Sequence, residues 1–403
     1  MKRTLAILLL IITAVPFLGG CWNQKELTEL AFVMALGVDR GENGKGYNLT
    51  FQIVNPGNVN TGQMGGGGGL PIAVYKSSGI NLTDAARNTT KKVSRTLYFA
   101  HTNVVVISEK LAKKEGVINI LDALDRDPVF RTTTQLVIAR GTTAEEMLST
   151  LTILDKLPVN NLTKSLQVTE NMLGENFKIT IDDFISELVS TGKLPIANGF
   201  QLVGDKNKGK YKSNLDSTIP EVIIKTDGLA IFKKGKLKGW IDGKEARGAV
   251  WVLDKVKGTD VNIDWKGKKN AISLITLRSK TKVSATVKND KPVIHVAIEN
   301  EGTVSQADLP IKLTDPDVIG KIEQKMEKSI QKEVLGTIKA AQKQNSDIFG
   351  FGDAVHRTDP KLWKRISKDW DNQFSDLKVT VKVDSYLRRS GIRTNPFSVD
   401  MKQ

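Results

Sequence analysis

The sequence predicts an α+β protein of several units: mixed α/β domains with antiparallel-rich sheets, and a long helix in the carboxy-terminal domain. Three observations carry this. Apolar segments with two-residue alternation recur beside segments with helical spacing. A polar, glycine- and lysine-rich stretch at 204–218 (GDKNKGKYKSNLDST) offers almost nothing apolar to bury and separates two such regions. Behind Asp315-Pro316-Asp317, the residues Val318, Ile322, Met326, Ile330, Val334 and Ile338 form one unbroken apolar stripe. A chain of 403 residues has room for two or three domains. Its 40% hydrophobic and 26% charged content is that of a globular protein. One cysteine excludes an internal disulfide, so packed cores must hold the fold.

Taken in order, Leu30 to Val38 is apolar, and Tyr47, Leu49, Phe51 and Ile53 alternate with polar neighbours. With the turn Asp39 to Gly46 between them, Phe32 to Val54 reads as a β-hairpin. Five glycines at 65–69 lack the lysine and helix start of a phosphate loop and read as a flexible loop, followed by a strand at Ile72 to Tyr75. Asn81 to Leu97 has helical spacing. The strand Asn103 to Ile107 is apolar from Val104 onward, as a central strand is. Helices follow at 109–115 and 117–125, then a strand at Thr134 to Ala139. Thr143-Ala144-Glu145-Glu146 is a capping box, and Ile181 to Val189 is helical.

After the polar stretch, Leu229 to Phe232 and Leu237 to Ile241 flank a tight turn, a hairpin read as opening the second domain. A short helix is expected near 243–253. Strands at Ala271 to Val287 and Pro292 to Ile298 are joined at Asn289-Asp290. Asp315 caps the long helix and Pro316 takes its first position; it is expected to lie across a sheet. Asp359-Pro360 opens another helix, with Trp363, Ile366, Trp370 and Phe374 as core anchors. Leu377 to Val383 is a half-buried strand. The domains expected are a signal peptide at 1–20, an α/β domain at 21–200, a polar linker or loop at 201–220, and an α+β domain at 221–403, with a further division near 310.

The most informative residue is Cys21. Met1-Lys2-Arg3 is a positive n-region, Thr4 to Leu18 is apolar, and Leu18-Gly19-Gly20-Cys21 is a lipobox pattern. Residues 4–18 as a helix reach roughly 22 Å, short of the hydrocarbon core of about 30 Å. The expectation is cleavage between Gly20 and Cys21, with S-diacylglycerol and N-acyl groups on Cys21. Paired acyl chains, at about 0.8 kcal/mol per buried methylene, give a stable anchor. The chain is therefore expected outside the cytoplasm, tethered to membrane lipid.

A net charge of +15 invites a nucleic-acid reading. The excess lies in lysine clusters such as 206–210 and 266–269, with no interleaved aromatics to stack bases. It suits a solvated face beside an anionic envelope; no nucleic-acid partner is expected.

Chemistry is sparse. His101, His295 and His356 are far apart with no metal-ligand spacing, and His295 sits mid-strand. The acidic pairs Asp182-Asp183 and Asp315/Asp317 stand at helix starts, where capping accounts for them. There is no GxSxG element and no free cysteine nucleophile. No catalytic residue, metal or cofactor is expected.

Several stretches together resemble the spore germination lipoproteins of the GerC type, the Ger(x)C family. They are Leu18-Gly19-Gly20-Cys21-Trp22 with Glu26-Leu27 and Ala35-Leu36-Gly37-Val38-Asp39; Gly228 to Phe232, Gly239-Trp240, Glu245-Ala246-Arg247-Gly248 and Trp251; and Asp347 to Asp353, Pro360, Trp363-Lys364, Trp370 and Gly391. The Gly65–Gly69 run is outside that pattern. The resemblance implies a non-enzymatic C subunit of a nutrient germinant receptor. It implies a lipid anchor on the outer face of the inner spore membrane and partnership with integral A and B subunits. Two other readings stand beside it: a solute-binding lipoprotein that captures a small nutrient, which calls for two similar lobes around a cleft, and an envelope enzyme, which lacks a nucleophile or metal set.

Overall fold

The apolar strands of the first half come together in a single sheet. The protein, described from a computed structural model, is placed at residues 3–4, 26–55, 70–155 and 157–388. Strands β1 (Leu30–Arg40), β2 (Tyr47–Val54) and β3 (Ile72–Gly79) form an antiparallel meander. Then come α1 (Leu82–Asn88), a short β4 (Thr96–Tyr98), β5 (Val104–Ser108), α2 (Glu109–Lys114), α3 (Ile118–Asp125) and β6 (Gln135–Ala139). They are followed by α4 (Ala144–Ser149), α5 (Pro158–Met172), α6 (Ile181–Val189), β7 (Ile196–Gly204), α7 (Ser213–Asp216), β8 (Val222–Lys233) and β9 (Lys236–Ile241).

The sheet order is β3-β2-β1-β5-β6-β7-β8-β9, with β4 beside β1. Its centre, β1-β5-β6-β7, is parallel and its flanks are antiparallel. Helices cover both faces, so Val104 to Ile107 are fully buried, as their unbroken apolar run requires. α2, α3 and α6 pack on one face, α4 and α5 on the other.

Three expectations change here. The Leu229–Ile241 hairpin does not open a second unit. It closes the first sheet, because β8 pairs along the free edge of β7 from Ile196↔Ile231 to Gly204↔Val222. Residues 204–218 are no open linker: the buried Asn214 amide donates to Leu151 O and Val222 O, and its Oδ1 accepts from Val222 N at 2.9 Å. The helix expected over 81–97 stops at Asn88, and residues 96–98 join the sheet instead.

The second sheet starts after α8 (Gly243–Val252). β10 (Thr259–Trp265), β11 (Lys268–Lys288) and β12 (Lys291–Ala307) are antiparallel, and the turn residues Asn289 and Asp290 have φ of 51° and 60°. α9 (Pro316–Lys343) spans about 42 Å. Asp315 caps it, and Ile322, Met326, Ile330, Val334 and Ile338 are buried. α10 (Phe351–Thr358), α11 (Pro360–Ile366) and α12 (Trp370–Ser375) lead to β13 (Lys378–Leu387), which adds parallel to β12. The single helix expected from Pro360 to Phe374 is therefore broken by a 3-10 turn at Ser367–Asp369. Trp363 and Trp370 are nonetheless core anchors, edge-to-face at 5.0 Å.

α9 also guards the outer edge of β13. Glu323 accepts from Leu387 N (2.8 Å), Glu327 accepts from Ser385 N (3.1 Å), and Gln331 Nε2 donates to Val381 O (2.7 Å). The two sheets share a core. Ile196, Leu229, Ile231 and Ile241 of the first belong to one buried cluster with Trp251, Ile263, Ile330 and Phe351 of the second.

Candidate functional site

Cys21 and Gly20 lie outside the described residues, as do Gly391 and the glycines at 65–69. The remaining titratable residues singled out in the sequence are scattered. His295 bridges strands, with Nε2 2.9 Å from Thr286 Oγ1 and Nδ1 2.8 Å from Thr380 Oγ1. His101 packs against Phe32, and His356 stacks on Trp363. Asp183 completes a capping box with Thr180, and Asp315 caps α9. Among the described residues no group of three His, Cys, Asp or Glu side chains is placed to hold a metal ion. Nor is any described helix long and apolar enough to cross a membrane.

Among the described residues, two concavities lie at opposite ends of β1. The first, about 830 Å³, lies at the carboxyl ends of β1, β5 and β6 and is lined by Asp39, Ser108, Glu109, Gly141, Thr143 and Lys206 among others. Here α2 leaves β5 toward one face while α4 leaves β6 toward the other. That divergence is the crevice where open α/β sheets hold ligands. Asp39 accepts from Ala144 N and Glu145 N at 2.9 and 3.0 Å, and burial pushes its carboxyl up against those bonds. Gly37 is what lets α4 approach: a Cβ there would stand 3.1 Å from Ala144 Cβ and Leu148 Cδ1. Beside the crevice, Arg140 lies 4.5 Å over the Trp240 ring and pairs with Asp227 and Asp242. The Trp240 indole donates to Glu109 Oε1 (3.0 Å) and Gly141 N donates to Oε2 (2.8 Å). Burial pushes the Glu109 carboxyl up, but Lys113, Gly141 and Trp240 outweigh it and hold it below its usual range.

The second concavity, about 980 Å³, is a groove beside the amino-terminal end of β1. Its floor is Leu36, Leu49 and Phe51, and Leu82, Phe99 and Leu124 wall it. Thr28, Glu29, Arg87, Arg95 and Asp127 also line it. The sequence hid this groove because its residues come from five separate segments and each, alone, reads as core.

The chain matches two family models in tandem: "Spore germination protein N-terminal domain" over residues 23–202, and "Spore germination B3/ GerAC like, C-terminal" over 227–391. It is 42% identical over 406 residues to Spore germination protein KC of Bacillus subtilis (strain 168), covering 100% of both chains. The chain belongs to the GerAC family of spore germination proteins. It is also 27% identical to Putative spore germination protein YfkR of the same organism, over 97% of this chain and 98% of that one. The solved structure of the GerBC protein aligns over 88% of this chain and 97% of that chain, with a TM-score of 0.52 at 18% identity, and shows the same fold. Membership of the GerAC family places the chain in spore germination.

Among the described residues, several of the stretches that carry the GerAC resemblance fall on packing devices. Gly37 and Asp39 seat α4. Gly228 (φ 70°) leaves room for Asp242, where a Cβ would meet Oδ1 at 2.1 Å. Arg247 grips Glu333 with two bonds, of 2.7 and 2.6 Å, and Gly248 admits Thr337 of α9. Asp347, fully buried, accepts from the N–H groups of Phe349, Gly350, Phe351 and Gly352 and from the Trp370 indole.

Proposed function

We propose that the chain is the lipid-anchored C subunit of a nutrient germinant receptor, a non-catalytic scaffold and signal relay. Cys21 carries the lipid, the protein stands on the outer face of the spore inner membrane, and its partners are the integral A and B subunits. The observation that carries this reading is the end-to-end similarity to Spore germination protein KC through both family domains. The test is Cys21→Ala: the protein is expected to fold, leave the membrane fraction and slow nutrient germination. Retention in the membrane with full germination would sink the tether.

A second reading, capture of a small nutrient, is favoured by the crevice at the ends of β1, β5 and β6. Against it, the halves are unlike and share one core, so there is no hinged cleft between lobes. Titration calorimetry with germinants separates the two: saturable binding abolished by Glu109→Ala would favour capture.

A further inference from the structure

We propose that the groove beside the start of β1 receives one acyl chain of a zwitterionic membrane phospholipid, holding the amino-terminal end of the first sheet down on the bilayer. The proposal rests on the tether at Cys21 for its geometry. Thr28 and Glu29, which line the groove, come seven and eight residues after Cys21. Seven residues reach at most about 25 Å when extended, so an anchored Cys21 keeps this end of the sheet close to the headgroups. The groove has the volume of a ligand site, about 980 Å³ against a common range of about 300–1,000 Å³.

Its chemistry fits a lipid at both ends. The deeper lining, Leu36, Leu49, Phe51, Leu82 and Leu124, is apolar and buried, and the hydroxyls of Thr83, Thr90, Ser94 and Thr96 line the groove beside it. The lining also carries both signs of charge, with Arg87 and Arg95 available for a phosphate and Glu29 and Asp127 for an ammonium. Among the described residues neither arginine is ion-paired, and both are exposed. The surrounding surface is that of an interfacial contact. Leu27 is 73% exposed, and the rings of Phe32, Tyr98 and His101 cluster with one another, their centroids 5.4 to 5.8 Å apart. Aromatic side chains with one polar end are the ones that settle at headgroup level.

The experiment reconstitutes the full-length protein into phosphatidylethanolamine–phosphatidylglycerol vesicles containing a trace of phosphatidylethanolamine with a photoactivatable diazirine in mid-chain. Irradiation and peptide mass spectrometry locate the adducts, and intact mass reads acylation of Cys21. Adducts on the peptides bearing Phe51, Leu82 and Leu124 are expected. They should fall to background in Ala123→Trp, which fills the groove, and in the surface double variant Arg87→Ser/Arg95→Ser, which leaves the core untouched. Adducts confined to Leu27 and its neighbours, or unchanged in both variants, would overturn the proposal. An acylated, vesicle-bound protein without groove adducts overturns it and leaves the tether standing, including the case in which the chain on Cys21 itself fills the groove. Groove adducts on a protein with unmodified Cys21 would uphold the groove and remove the tether.

Discussion

At the scale of the residue, Asp347 shows how one carboxylate can organise a junction. Its oxygens collect four backbone N–H groups and the Trp370 indole, while its own carbonyl accepts from Leu194 N (2.7 Å). The loop from Ser190 to Leu194 is thereby bound to α10, with Ser190 Oγ donating to Asp353. Gly192 and Gly352 meet there with no room for a Cβ on either: one on Gly352 would stand 2.6 Å from Gly192 Cα. Asp347→Asn turns an amide NH2 toward donors and is expected to cost on the order of 3 kcal/mol in denaturant unfolding. Burial pushes the carboxyl up from 3.8 to about 6 despite these bonds. A folded pKa above the unfolded one means the folded state holds the proton more tightly. This group's contribution is therefore full below about pH 4 and is lost as pH rises through about 6. Stability of the wild type minus that of Asp347→Asn should decline over that window; a difference that rises with pH would contradict it.

At the scale of the element, what was legible was local. Asp315-Pro316 and Thr143-x-x-Glu146 fixed helix starts because cap and first turn are neighbours in sequence, and Asn289-Asp290 fixed a turn for the same reason. α5 escaped notice because Leu157 offers no side-chain cap and its exposed face carries Val168 and Met172, which blur the stripe. β10 is short and follows a helix, and β8 reads as independent until β7 is seen to lack a neighbour. The site was less legible than the fold: a lipobox is a linear signal, whereas groove and crevice exist only once distant segments meet. Two predictions belong here. Gly248→Val would place its Cβ 2.0 Å from Thr337 Oγ1 at the α8–α9 crossing; a loss of about 2–3 kcal/mol is expected in chemical unfolding. Glu323→Lys/Glu327→Lys uncovers the edge of β13, and light scattering should report concentration-dependent association that the wild type lacks.

At the scale of the molecule, the shared core makes the two sheets one folding unit despite the two family models that divide the sequence near 202–227. Calorimetry should show a single transition with matching calorimetric and van't Hoff enthalpies. A chain ending after Ile241 would leave Ile196, Leu229, Ile231 and Ile241 uncovered and should fail to give a sharp transition; two separable transitions in the full chain would refute this. The placement of β13 adds a matter of timing. It pairs with β12 along Val293 to Gly302, yet 70 residues lie between Ala307 and Lys378. Contacts so distant in sequence form late, because the intervening loop must close first. A chain made amino terminus first therefore carries β12 as an open edge until almost its last residues are available. Its most vulnerable interval is a matter of synthesis clock rather than of finished stability, and any pause in making the tail prolongs it.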